Sequence, residues 1–141
     1  MIIAIDFDGT CVTHEFPKVG AEIGAAEVLR ELIENGHQLI LFTMRSNRDK
    51  VGGVKDGNIQ DVSGSFLTDA ILWFDKWNIP LYGIQQNPTQ KDWTTSPKAY
   101  AQLYIDDAAL GCPLKNDFTI SERPFVDWIE VRKILTQNNL L

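Results

Sequence analysis

The chain has 141 residues, 44% of them hydrophobic and 23% charged, and a formal net charge of −6. That length suits a single domain, residues 1–141, able to bury a real core without a structural metal or disulfides, and the negative balance offers no basic counter-surface to nucleic acid or an anionic membrane. Apolar stretches are no longer than strands, so no membrane span is expected, and two cysteines outside any CxxC pair, Cys11 and Cys112, point to reduced thiols in a cytoplasm.

The chain opens MIIAIDFDGT. Ile2 to Phe7 is a short apolar run ending in polar residues and glycine, the pattern of a strand buried on both faces of a parallel sheet. From Ala21 to Asn35, Ile23, Ala26, Leu29, Leu32 and Ile33 recur at helical spacing, with Gly36 placed for a left-handed cap. Gln38 to Thr43 reads as a second buried strand. Phe66 to Trp77 reads as a second helix, stopped before Pro80. LYGIQ and Ala101 to Asp106 supply third and fourth strands, and Phe118 to Ile120 a short fifth. Pro124 is expected to open a last helix with Phe125, Trp128, Ile129 and Val131 on its apolar side. Trp73, Trp77 and Trp128 are read as packing residues. Strands alternating with helices predict a three-layer, doubly wound, Rossmann-like α/β sandwich around a central parallel sheet.

Ligands of such sheets bind beyond the carboxyl ends of the strands. There the sequence puts Asp6, Asp8, Gly9 and Thr10 after the first strand, Thr43 and Arg45 after the second, and Asp106 and Asp107 after the fourth. Carboxylates converging on one edge cannot all ionise without compensation. An all-oxygen cluster suits Mg²⁺, which neutralises the acids and keeps positions open for a substrate phosphate.

These segments resemble the motifs of the haloacid dehalogenase-like hydrolase superfamily over Met1 to about Gly111: DFDGT at residues 6–10, Thr43 in LFTMR, Lys98 in SPKAY, and the acid pair in YIDDAALG. The resemblance implies a Mg²⁺-dependent phosphomonoesterase. Asp6 would be the nucleophile and form an aspartyl-phosphate, and Asp8 the general acid and then base. Metal ligation would fall to Asp6, the backbone carbonyl of Asp8, and Asp106, with Asp107 a second ligand or an outer partner. Thr43, Lys98 and backbone N–H groups near Gly9 would hold the phosphoryl oxygens. Lys91 competes with Lys98 for that role, and Lys98 is favoured because Ser96 and Pro97 can start a turn aimed at the cleft. An aspartate at position 8 argues against the superfamily's dehalogenases, which lack it, and its P-type ATPases, which carry threonine there.

Arg45 is placed to reach a second anionic group on the substrate, or else lies on the surface; His14 is read as a flap residue and His37 as a strand-edge residue. Only Cys11 to Gly20 separate the first motif from the first helix, so no large cap domain is expected, and residues 46–65 form a long loop read as either a miniature lid or a surface insertion. The substrate class expected is a small phosphorylated metabolite, with a nucleotide favoured narrowly. A receiver-type phosphoacceptor module is the competing reading, disfavoured because LYGIQQ ends without an aspartate, and a non-enzymatic binding module on the same scaffold is the least economical.

Overall fold

The computed structural model describes residues 1–48 and 64–141, so most of the 46–65 loop, read from the sequence as a miniature lid or a surface insertion, lies outside the described residues. In chain order the elements are β1 (Ile2–Ile5), α1 (Ala25–Glu34), β2 (Gln38–Leu41), β3 (Asn47–Arg48), β4 (Gly64–Ser65), α2 (Phe66–Lys76), β5 (Leu81–Ile84), a single 3₁₀ turn at Gln90–Asp92, β6 (Leu103–Ile105), β7 (Leu114–Lys115), β8 (Phe125–Val126) and α3 (Trp128–Gln137).

β1, β2, β5 and β6 form a parallel sheet in the order β5-β2-β1-β6. Among the described residues the architecture is α/β, with a four-stranded parallel sheet and three helices, compatible with a Rossmann-like fold. From β1 the chain moves outward to β2 and β5, then returns to the other side of β1 for β6. The order therefore reverses between β1 and β6, which sets a crevice at their carboxyl ends. Register fixes that edge, because Ile5 stands beside both Leu41 and Ile105.

The strands read as continuous apolar runs because both faces are covered. Ile3, Ile5, Leu39, Ile40 and Leu41 are fully buried, and the core extends through Phe7, Leu29, Leu32, Phe74 and Phe125. Trp73 and Trp128 are buried and Trp77 is half-buried against the same core, as their packing reading requires. α1 starts at Ala25, four residues later than its periodicity suggests, because Gly24 takes a left-handed φ of 99° at its N-cap. At its other end Gly36, with φ 82°, lets its own N–H reach the Ile33 carbonyl and the His37 N–H reach that of Leu32. His37 ties the chain ends together: its ring meets the N-terminal amine at 3.2 Å and the Leu140 carbonyl at 2.9 Å.

The C-terminal quarter departs from expectation. Phe118 to Ile120 forms a turn held by Asp117, and the extra strands are Leu114–Lys115 and Phe125–Val126, paired antiparallel. Pro124 precedes β8. The last helix starts at Trp128, four residues after Pro124, where the Asp127 carboxylate accepts the Ile129 and Glu130 N–H groups. Its buried face is Trp128, Val131 and Leu135, whereas Ile129 faces solvent. The Trp128 indole N–H donates to the Thr10 carbonyl at 2.7 Å, which anchors α3 directly to the first motif.

Candidate active site

The opening motif turns back on itself straight after β1. The Asp6 N–H donates to the Ile105 carbonyl, joining the ends of β1 and β6, and the N–H groups of Thr10, Cys11 and Val12 all converge on the Phe7 carbonyl. Cys11 is a packing residue whose thiol donates to the Asp6 carbonyl at 3.3 Å, and burial pushes its pKa well up. Thr10 is fully buried and joins two acids: its hydroxyl donates to an Asp6 carboxylate oxygen at 3.3 Å and accepts the Asp107 N–H at 3.0 Å.

Asp6, Asp106 and Asp107 come together, each with a carboxylate oxygen within 4.8 Å of the others. Asp106 keeps its loop in shape by accepting the Ala108 N–H at 2.8 Å. Asp6 is raised from 3.8 to about 7, chiefly by burial; the Phe7 N–H pulls it back, and the charges of Asp106, Asp107 and then Asp8 push it further up. Oxygens around a Mg²⁺ at about 2.1 Å lie at most about 4.2 Å apart, so an all-oxygen donor set gathered on this scale suits such a cation.

Asp8 stands outside that cluster. Both of its oxygens are held by Arg45, Oδ2 by Nε and Oδ1 by Nη2, each at 2.7 Å. Its carboxylate is therefore taken up by the guanidinium, which leaves only its backbone carbonyl for a metal. The same observation corrects the reading of Arg45 as a ligand for a second substrate anion. Arg45 is buried, stacks between the rings of Phe7 and Phe16 at 5.0 and 5.3 Å, and also donates to the carbonyls of Pro17 and Lys18. Gly9 is corrected as well: its N–H donates to the Val12 carbonyl at 2.7 Å and does not point to a phosphate.

What Gly9 does is allow close approach. Its φ is +81°, and a Cβ there would sit 2.0 Å from His14 Nε2 and 2.8 Å from Asp107 Oδ2. His14 reaches from the flap to Asp107 at 3.0 Å across this gap. Gly9→Ala should therefore cost about 1–3 kcal/mol in urea denaturation and expel the imidazole from Asp107. An unchanged His14 ring environment in NMR spectra of the variant would contradict this.

Thr43 follows β2 at the same edge. Its hydroxyl oxygen accepts the Arg45 N–H at 3.2 Å, which leaves its proton for a phosphoryl oxygen. Gln85, at the end of β5 with φ 62°, clamps this segment: it accepts the Thr43 N–H and donates to the carbonyls of Thr43 and Arg45. Lys98 lies in a turn closed by the Ser96 hydroxyl, exposed, with its ammonium 5.3 Å from the centre of the Tyr104 ring on β6. Lys91 is exposed in the 3₁₀ turn and lines a separate groove with Gln85, Gln86 and Thr94. Among the described residues neither lysine forms an ion pair with the acids.

The bridging contacts of Thr10, the Gln85 clamp and the His14 contact escape the sequence reading. Thr10 lies inside the quoted motif and Gln85 at a strand end, so position gives a signal for both, whereas the pairing of His14 across 93 residues gives none.

No family model and no curated protein matches the chain. A solved structure of a conserved protein coded by a locus from Bacteroides thetaiotaomicron is similar, with 28% identity and a TM-score of 0.70 over 98% of this chain and 91% of that one. The α/β architecture is thus shared by a solved protein across nearly the whole length of both chains.

Proposed function

We propose that the protein is a Mg²⁺-dependent phosphomonoesterase of the haloacid dehalogenase-like type, a capless member with a doubly wound sandwich, working through an aspartyl-phosphate on Asp6. The observation that carries this reading is the meeting of Asp6, Asp106 and Asp107 at the crevice where the strand order reverses. A cation held by these three residues would offset their mutual repulsion and the charge of the incoming phosphate.

The chain's own groups supply the rest. An Asp6 oxygen attacks phosphorus while the ester oxygen leaves, and water then displaces Asp6 from phosphorus to release phosphate. Thr10, which donates to Asp6 Oδ2, orients the nucleophile. The Thr43 hydroxyl grips a phosphoryl oxygen, and Lys98, whose exposed stem is free to swing from Tyr104, completes the cradle. Once one of its oxygens has left Arg45 and taken a proton from solvent, Asp8 gives that proton to the leaving oxygen, and it then recovers one from the attacking water. Small phosphorylated metabolites are the substrates proposed, nucleotides among them.

Turnover of an aryl phosphate tests the reading. Steady hydrolysis with Mg²⁺, abolished by EDTA and restored by excess Mg²⁺, is expected. A single phosphorylation event would instead indicate a receiver-like module, and rates indifferent to EDTA would reject the metal.

A further inference from the structure

The flap between the first motif and α1 is fastened on both sides of the acids. His14 meets Asp107 on one side; on the other, Phe16 packs edge-on against Phe66 of α2 at 5.1 Å, and the Pro17 and Lys18 carbonyls accept from Arg45. Arg45 is the common element. Its side chain is 1% exposed, and one guanidinium carries two hydrogen bonds to Asp8, two to flap carbonyls and two aromatic faces.

A buried arginine is costly unless its donors are satisfied, and here they are satisfied jointly by the Asp8 carboxylate and by the flap carbonyls of Pro17 and Lys18. The backbone beneath it is fixed independently of the flap, because Gln85 Nε2 donates to the Arg45 carbonyl at 3.0 Å and Thr43 accepts its N–H. The fork geometry is then preset, and Asp8 and the flap adapt to it. Lifting the flap removes two acceptors and the Phe16 face from the guanidinium. Turning Asp8 removes the charge that holds the guanidinium against the flap.

We propose that Arg45 is a positioning residue that couples the orientation of the Asp8 carboxylate to closure of the flap. With the flap closed both Asp8 oxygens accept from Arg45. Loosening of the flap frees one of them to turn towards a bound leaving group. The catalytic half of this inference rests on the phosphatase reading; the mechanical half does not.

Amide hydrogen exchange over residues 13–18 tests the coupling without any substrate. Cutting the charged hydrogen bonds of the clasp should speed flap exchange by about tenfold or more. The acceleration should appear in Arg45→Met and in Arg45→Lys, whose single ammonium cannot replace a fork, and equally in Asp8→Ala, which removes the carboxylate that Arg45 holds and leaves the flap side chains unchanged. Exchange in α1 serves as the control for global loosening. Should Arg45→Met fail to fold, Arg45→Lys and Asp8→Ala still decide the matter. Unchanged flap exchange in Arg45→Lys, or acceleration in the Arg45 variants but not in Asp8→Ala, would overturn the coupling.

In turnover, misplaced Asp8 should lower kcat for alkyl phosphates by on the order of 10²-fold in Arg45→Lys, and much less for aryl phosphates, whose leaving groups need little protonation. A purely structural arginine would lower both equally, and that result would remove the catalytic half. If the wild-type protein hydrolyses no phosphate ester, the phosphatase reading fails while the exchange data still decide the clasp.

Discussion

Asp6→Asn is expected to lower hydrolysis of every phosphate ester by on the order of 10⁴-fold or more, the scale of losing a covalent nucleophile, while the protein stays folded. The substitution changes almost no volume, and the amide oxygen can still accept from Thr10, which donates to Asp6 Oδ2 at 3.3 Å. What disappears is the attacking oxygen and one of the three carboxylates of the cluster. Steady-state rates with saturating Mg²⁺ check it, and a variant within tenfold of wild type would remove Asp6 from the chemistry.

The same substitution has a second large effect, on stability. Asp6 keeps its proton up to about pH 7 in the folded, metal-free protein against 3.8 ordinarily, mainly because it is buried. Between those values the folded state holds a proton that the unfolded state has lost, so folding stability falls as pH rises through this window. The favourable contribution is complete below 3.8 and gone above about 7. At about 1.4 kcal/mol per pH unit the interval amounts to about 4 kcal/mol. The amide introduced by Asp6→Asn does not titrate. Without metal, wild type and Asp6→Asn should therefore match near pH 4, and the variant should be the more stable by about 4 kcal/mol at pH 8. Mg²⁺ should recover the wild type selectively, because it binds the ionised cluster of the folded state. Denaturant midpoints at four or five pH values check this; parallel pH profiles for the two proteins would contradict it.

The parts of the molecule legible in the sequence are those governed by local pattern. The apolar runs of β1, β2, β5 and β6 and the helical spacing of α1 and α2 announce a parallel sheet with crossovers, and strand ends then gather Asp6, Asp106 and Asp107 without further information. The C-terminal quarter is harder, because Phe118 and Ile120 look like strand residues by type yet are exposed in a turn, and the helix start is decided by Asp127 capping rather than by Pro124. Side-chain partners are the least legible. Arg45 two residues after Thr43 looks like a substrate ligand from its position, but Asp8, the flap carbonyls and two aromatic rings converge on it from distant parts of the chain. The Gly9 N–H looks like a phosphate donor until the tight turn gives it the Val12 carbonyl.

In the proposed reaction phosphorus becomes bonded to Asp6. Acid-quenching the wild-type protein during turnover of an aryl phosphate with Mg²⁺, reducing the acyl phosphate with borohydride and mapping the peptides by mass tests it most directly. Reduction of the residue-6 carboxyl to an alcohol is expected, dependent on substrate and absent in Asp6→Asn. Steady hydrolysis with residue 6 unmodified, or with the reduced carboxyl at another aspartate, would contradict it.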